Sequence, residues 1–560
     1  MDNYEIADQL SLLSKMMDIH GENAFKSKSF SSAAFTLEKY PEAISSLSKQ
    51  KISSIRGIGE SVGNSIFEIL ETGKLEQLEK LISETPKGVL EMMNIKGLGP
   101  KKIHTLWKEL NIDTIDDLKQ ACQENVIADK KGFGAKTQQN ILEAIHFQQQ
   151  NSGKYLYAQV EGFVQAFQQK LEKKFNNNKL EITGAFRRQS EVIDLLEWVT
   201  TVPKQKLISF LQTEDSTISS ESDQHIELLA NDAIRLKFYL CSEENFINTL
   251  FTTTGNDEFI QAWKNKFSET ESITFNSEDD IFKSAQLNYV PPYLRETEKY
   301  LYNKTKEPVP PVLQTSDVKG LIHSHSTWSD GAYSIEDMAE KLIELGFEYL
   351  VISDHSKAAY YANGLDENKI RDQHKEINEL NKRLAPFKIF KSIECDILTD
   401  GALDFEDSVL STFDLVIASV HSNLTMSEEK AMHRLLSAVK NPYVTILGHM
   451  TGRLLTRRNG YPVNHKQIID ACAEHKVVIE INANPRRLDM DWRWIDYALE
   501  NKVLLSVNPD AHSTEEFQNI KYGVLVAQKG GLTKEYNLSS YSLSEFENFL
   551  QARKKEKNLM

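Results

Sequence analysis

Nine side chains spread between residues 323 and 512 are of the types that bind metal ions: His323, His325, Asp330, His355, Glu394, His421, His449, Asp510 and His512. Zn2+ and Mn2+ take imidazole and carboxylate ligands and leave positions for water. The stretch from Gly320 to His355 holds the first four. It reads GLIHSHSTWSDG, then a run of helical spacing, then EYLVISDHS. On a strand, His323 and His325 at i and i+2 face the same side. Asp330 follows in a Ser-Asp-Gly turn, and His355 comes one strand–helix–strand length later. Ten of the 14 histidines lie after residue 320. The chemistry this points to is hydrolysis, because water acidified by two cations is hydroxide at neutral pH.

The elements that must position these groups are seven apolar runs separated by helical segments: KGLIHSHS, EYLVISDHS, FKIFKSIECDI, FDLVIASVHS, VTILGHMT, VVIEINAN and LLSVNPDAHS. Each ends in a polar residue. A parallel barrel gathers the C-terminal ends of its strands at one mouth, so the pattern predicts convergence of all nine groups. Nine ligands exceed the needs of one ion and imply two or three, Mn2+ or Zn2+. Glu480 and Asn482, ending the sixth run, are read either as contacts to ligands or substrate or as packing residues. Arg453, Arg457 and Arg458 follow His449, and Arg486 and Arg487 follow the sixth run. These arginines could hold a phosphodiester, with Arg453 the first choice; Arg486 and Arg487 are read either as phosphate contacts or as partners of acids such as Asp489 and Asp491. His374, His433, His465 and His475 fall on helical or loop segments outside the pattern.

The rest of the chain sets the context. Its 560 residues, 40% hydrophobic and 26% charged, read as a globular protein of several domains. No apolar run is long enough for a membrane span, and MDNYEIADQLSLL is not a signal peptide. The four cysteines lie far apart with no CxxC, which predicts a reducing, cytoplasmic setting and excludes a zinc ribbon. A net charge of −16 requires any nucleic-acid contact to rest on local positive patches.

Such patches are present in the first third. ISSIRGIGESVGNSIFEIL places Gly57 and Gly59 between two helical runs. MMNIKGLGPKKIHTLW repeats the pattern with Gly97 and Gly99, and DKKGFGAKTQQNIL repeats it more weakly with Gly132 and Gly134. Glycines in these turns let backbone amides at a helix N-terminus face a phosphate. Lys96, Lys101, Lys102, Lys130, Lys131 and Lys136 flank the second and third turns. The reading is DNA binding without sequence specificity.

Helix-hairpin-helix motifs followed by ITGAFRRQSEVIDLLEWV resemble family X DNA polymerases, and LKFYLCSEENFINTLFTTTGNDEF with LNYVPPYLRE resembles their palm, thumb and exit. With the C-terminal region, the chain resembles the bacterial PolX family, a polymerase X core fused to a PHP domain. The resemblance implies a helical region in two parts, 1–85 and 86–152, an α+β palm and thumb over 153–293, and a distorted (β/α)7 PHP barrel over 317–560. A linker over 294–316, marked by Pro308, Pro310 and Pro311, joins the last two. It also implies three ions, the first on His323, His325, Glu394 and Asp510. The second is shared by Glu394 with His421 and His449, and the third sits on Asp330, His355 and His512. A bridging hydroxide would be held through Glu394. The polymerase motif departs from its family. Ala185 replaces a serine, Leu195 and Glu197 occupy the Asp-x-Asp positions with Asp194 one residue early, and Lys237 stands at the third carboxylate. A two-metal nucleotidyl transfer site needs converging carboxylates, so this site is expected to be dead. Ser65 replaces the lyase lysine, and Met450 replaces a proline next to His449.

The leading expectation is a metal-dependent 3′-5′ exonuclease or 3′-end-processing phosphodiesterase of DNA repair, acting on gapped, nicked or 3′-recessed DNA. Three alternatives stand beside it: an active family X polymerase with exonuclease, a histidinol-phosphatase-like phosphomonoesterase, and a non-catalytic DNA-binding scaffold.

Overall fold

A computed structural model describes residues 3–559 except 39, 41, 43, 96, 215, 231–232, 268–273 and 302–309. Lys96 and Pro308 therefore lie outside the described residues. The chain forms two units, residues 1–152 and 153–560.

The first unit is helical. Helix Asn3–His20 buries Ile6, Leu10, Leu13 and Met17 at three-and-four spacing against Phe30, Ala33 and Leu37 of helix Ala24–Glu38. The apolar cluster continues without a break from Ile6 to Ile145. The expected division at residue 85 therefore does not separate two cores: His104 Nδ1 lies 3.0 Å from the Ile19 carbonyl, and His20 meets Thr85 Oγ1 at 2.7 Å. Gly57 and Gly97 both adopt φ +95°, which favours glycine. Gly59 and Gly99 then cap helices Glu60–Thr72 and Pro100–His104 in extended conformation. The third turn differs, because Gly132 and Gly134 are both left-handed and helix Gly134–Asn151 begins behind a buried Phe133.

The second unit opens with a five-stranded sheet: β1 (Leu180–Thr183), β2 (Leu196–Thr200), β3 (Ser216–Glu221), β4 (His225–Ala230) and β5 (Ile234–Leu240). The order is β1-β2-β5-β4-β3, and only the β2–β5 pair is parallel. Trp198 stacks on Phe238 at 5.4 Å in its core.

The expected linker does not start as an extended segment at 294. Leu294 and Arg295 are buried, and Arg295 binds both Glu278 and the Val290 carbonyl. Glu296 accepts from Lys529 Nζ at 2.5 Å and pairs with Arg188 Nε at 3.2 Å. A cation buried without such partners would be expensive, so these residues belong to the packed structure.

The C-terminal strands are β6 (Gly320–Ser324), β7 (Tyr349–Ile352), β8 (Lys388–Lys391), β9 (Glu394–Asp396), β10 (Val416–Ser419), β11 (Val444–Leu447), β12 (Val478–Asn482) and β13 (Leu505–Asn508). β8 and β9 are two halves of the third predicted run, broken at residues 392–393. All pairings are parallel, in the orders β8-β7-β6 and β9-β10-β11-β12-β13. Bridges Ser324↔Ala511 and His355↔Glu394 join the two sheets into a distorted (β/α)7 barrel. Inside it, Ile322, Val351, Ile417, Ile446 and Val478 pack together, with Tyr349 stacked on Phe546 of helix Leu543–Glu556. Toward the C-terminal ends of the strands the buried residues turn polar: Glu480, Asn482, Ser506 and Asn508 are all fully buried. A buried polar layer of this kind is stable only when hydrogen-bonded, and its partners are the predicted ligands.

Candidate metal centre

The barrel brings all nine predicted groups to its C-terminal mouth, in four overlapping sets of groups that could hold an ion. They are His325, Asp330, His355 and His512; His323, Glu394 and His449; His323, His325 and Asp510; and His355, Glu394 and His421. Among the described residues, no comparable set occurs elsewhere.

Glu394, fully buried at the start of β9, is central. Its Oε1 lies 2.9 Å from His449 Nε2, 3.2 Å from His421 Nε2 and 3.3 Å from His323 Nε2. Its Oε2 lies 2.9 Å from His355 Nδ1. Asp510 Oδ1 is 3.1 Å from His325 Nε2 and 3.4 Å from His323 Nε2. Asp330 reaches His512 Nε2 at 3.5 Å and His355 Nε2 at 3.6 Å. His421 and His449, implied to share one ion, both touch Glu394, but the tight sets join them to His355 and His323 respectively.

His323 and His325 share a side for a different reason from simple strand alternation. His323 is left-handed at φ +65°, the register with β7 shifts between Leu321 and Ser324, and β6 has ended before His325. Asp510 is also left-handed, at φ +52°. Such conformations cost about 1–3 kcal/mol each and persist where surrounding contacts enforce them. Here the backbone of Ala511 donates to the His323 carbonyl and accepts from His325 N–H.

Glu480 accepts four hydrogen bonds. Its Oε1 takes His449 N–H (3.0 Å) and Asn482 Nδ2 (2.9 Å); its Oε2 takes His323 Nδ1 (2.6 Å) and Asn508 Nδ2 (2.9 Å). With Nδ1–H held by Glu480, Nε2 faces Glu394 and Asp510 and is the nitrogen that would offer its lone pair to a cation. Burial opposes charge on His323, but Glu480, Asp510 and Glu394 together raise its pKa well above the usual imidazole value. Burial likewise opposes charge on Glu394, while His421, His323 and His355 hold its carboxyl well below the ordinary range.

The donor set fits a cation on a direct observation. His323 Nε2, His325 Nδ1, His355 Nδ1, Glu394 Oε2, Asp396 Oδ2, His421 Nδ1 and His449 Nδ1 are all buried without a hydrogen-bond partner. Each such atom costs about 1–3 kcal/mol, and bound cations with their waters would satisfy several at once. Asp330 and His512 are the open side, each about one-third exposed.

Asp396 was not among the sequence candidates. It sits two residues after Glu394 on β9, with Oδ2 3.3 Å from His421 Nδ1. The same i, i+2 spacing that marked His323 and His325 would have found it.

Arg453 does not face the centre. Its Nε donates to the Arg487 carbonyl, Nη1 to Asp491 Oδ2 at 2.6 Å and Nη2 to the Leu488 carbonyl. Arg453 thus takes the acid weighed as a partner for Arg486 and Arg487, and ties down their loop. Arg487 points the other way, its Nε 3.4 Å from Asp510 Oδ2. It lies near Arg458, whose pKa is lowered by burial and by the Arg487 charge.

The polymerase-like positions contrast with this cluster. Leu195 adds no ligand. Asp194 is exposed in the gap between Ile193 and β2. Glu197 pairs across β2–β5 with Lys237 and accepts from Tyr239 OH at 2.8 Å. Burial raises its pKa despite these partners. Lys237 binds Glu227 at 2.8 Å. Arg187 is held by Glu278 at 3.1 and 2.7 Å and by Thr254 at 2.6 Å.

Family profiles match the chain in three places: a helix-hairpin-helix domain over residues 1–75, a SAM-like helix-hairpin-helix tandem over 89–146, and a PHP domain over 322–484. The DNA polymerase/3′-5′ exonuclease PolX of Bacillus subtilis (strain 168) is 33% identical, aligned over 98% of this chain and 100% of its own length. Probable phosphatases of Thermoanaerobacter sp. (strain X514) and Vibrio parahaemolyticus serotype O3:K6 are 24% and 27% identical over 42% of this chain, and are matched over 95% and 93% of their own lengths.

Proposed function

This chain belongs to the bacterial PolX family, and on that premise we propose that it is a metal-dependent phosphodiesterase that trims DNA 3′ ends and no longer polymerises. The observation that carries the reading is the contrast between its two sites. In the barrel, the nine candidate ligands gather in overlapping sets, and seven buried polar atoms on them and on Asp396 lack a hydrogen-bond partner. In the sheet, the corresponding carboxylate positions hold a leucine, a hydrogen-bonded glutamate and an ion-paired lysine.

Cations held by the nine groups would acidify water and take up charge on the phosphoryl oxygens. The chain's own residues do the rest. Glu480 fixes the His323 tautomer. Asp396 flanks His421 from β9, its Oδ2 3.3 Å from His421 Nδ1. Arg487, with Arg458 behind it, replaces Arg453 as the phosphate contact, because only Arg487 reaches the Asp510 side of the cluster. The substrate enters past Asp330 and His512. The helix-hairpin-helix turns hold the DNA backbone: a Cβ at Gly59, Gly97 or Gly99 would meet nothing within 4 Å, so these backbones are open to an incoming phosphate. Lys101 is exposed beside the second turn, while Lys102 closes on the Gly97 carbonyl at 3.0 Å.

The test is a 5′-labelled primer on gapped DNA with Mn2+ and purified full-length chain. Shortening by the wild type and its loss in His323→Ala support the reading. Extension on adding deoxynucleotides refutes the loss of polymerisation, and hydrolysis confined to small phosphate monoesters refutes the nuclease assignment.

A further inference from the structure

Beside the metal centre stands a pair of aromatic side chains with no place in the chemistry so far. Tyr360 and Tyr361 occupy the short helix Tyr360–Ala362, and their rings are 86% and 65% exposed. Large apolar rings normally leave water when they can, and these two are kept out by a rigid mount. Leu365 N–H donates to the His355 carbonyl at 2.8 Å, and Gly364 N–H to Ala359 at 3.1 Å. Asn363, left-handed at φ +56°, donates from Nδ2 to the carbonyls of Trp328 (3.3 Å) and Ser329 (3.5 Å). Lys369 Nζ clamps Asn363 from the other side at 2.7 and 2.9 Å. A Cβ at Gly364 would lie 1.9 Å from the Ser356 carbonyl, so the turn is packed against the backbone that follows His355. The mount is thus anchored to the residue after one candidate ligand, His355, and the residue before another, Asp330.

The rings meet edge to face, with centroids 6.1 Å apart and planes at 79°. They offer two differently oriented flat faces at the open side of the cluster. Partial burial of the Tyr361 hydroxyl, with the charges of Asp396, Glu394 and Asp330, pushes its pKa up to about 12, so the ring stays neutral next to a polyanion. The Arg487 charge acts on the same hydroxyl in the opposite sense. A neutral aromatic face, fixed within electrostatic reach of both the cluster and a phosphate-facing arginine, matches the chemistry that stacks nucleobases without reading their sequence.

We propose that Tyr360 and Tyr361 form a stacking subsite for the nucleobase at the DNA terminus whose phosphodiester enters the metal centre. This rests on the nuclease reading above. Stacking would splay the last base away from its neighbour and set the scissile bond relative to Arg487, making the pair positioning residues.

Full-length wild type, Y360A/Y361A and Y360F/Y361F are compared in two ways. With Mn2+, KM is measured on a primer ending in a normal nucleotide and on the same primer ending in an abasic sugar. The alanine pair raises KM about 10- to 100-fold on the normal end, equivalent to about 1.4–2.8 kcal/mol at 1.4 kcal/mol per tenfold. Its effect on the abasic end is under about threefold, and the phenylalanine pair restores binding. Without metal, a 3′-terminal 2-aminopurine is quenched by wild type and by the phenylalanine pair, and not by the alanine pair. Equal losses on both ends, or quenching that survives in the alanine pair, overturns the proposal. So does a change of oligomeric state in the alanine pair, which assigns the patch to a second copy. If wild type shortens no DNA, the nuclease reading fails by itself, while the fluorescence result still decides the stacking.

Discussion

Glu480→Gln isolates the group that organises the centre without occupying a ligand position. All four partners of the carboxylate are donors: His449 N–H, Asn482 Nδ2, His323 Nδ1 and Asn508 Nδ2. An amide brings a donor of its own. In one flip it faces His449 and Asn482, and in the other His323 and Asn508. Either way two hydrogen bonds are lost inside a fully buried layer, at about 1–3 kcal/mol each, or roughly 2–6 kcal/mol in sum. His323 can escape the clash by moving its proton to Nε2, but that nitrogen then faces Glu394 and Asp510 as a donor and no longer as a ligand. Loss of such an orienting partner weakens metal binding about 10- to 100-fold. The measurement is calorimetric titration of Mn2+ into chelator-stripped full-length protein, with urea unfolding alongside. An affinity within twofold of wild type together with unchanged unfolding would refute the assignment of Glu480 as organiser.

Three further outcomes follow from the same contacts. Arg487→Ala raises KM for DNA about tenfold with little change in unfolding, whereas Arg453→Ala costs about 2–4 kcal/mol of stability because three acceptors on the 487–491 loop lose their donor; kinetics and urea unfolding of the two variants separate the roles. Gly99→Ala leaves thermal unfolding within about 1 kcal/mol, since its φ of −81° suits alanine and a Cβ meets nothing, yet weakens DNA binding about tenfold, a hydrogen bond to a charged phosphate being worth about 1.5–3 kcal/mol; unchanged affinity would remove that turn from the DNA interface. Burial opposes ionisation of Glu296, but Lys529 and Arg188 hold its carboxyl down to about 2. Its folded pKa is below its unfolded one, so its stabilisation is fully present above about pH 4.5 and is lost as pH falls toward 2. It is worth roughly 3 kcal/mol at 1.36 kcal/mol per pKa unit, and Glu296→Gln flattens that part of an acid unfolding curve.

The barrel and the gathering of its candidate ligands were legible because strand ends, polar residues and the barrel rule all point to one mouth. His421 and His449 needed nothing beyond their position after an apolar run. What failed was whatever depended on how loops fold back. Arg453 and Arg487 are equivalent by sequence distance from a strand end, and only the loop's return decides which one meets Asp491 and which meets Asp510. The His323 bulge was invisible for a similar reason: its backbone is bonded to that of Ala511, almost two hundred residues away. Arg295 reads as the start of a polar linker until its partner Glu278 is placed. Asp396 was readable and was overlooked.

Lys529 closes helix Ile520–Lys529, which follows the segment carrying Asp510 and His512, and its ammonium is entirely enclosed by Glu296, the Arg188 carbonyl and the Trp492 ring. Two of those three covers come from outside the barrel. A nuclease cut free near residue 316 would therefore carry a bare cation on a surface shaped to hide it. The 153–296 region thus braces the barrel, whatever chemistry it carries of its own.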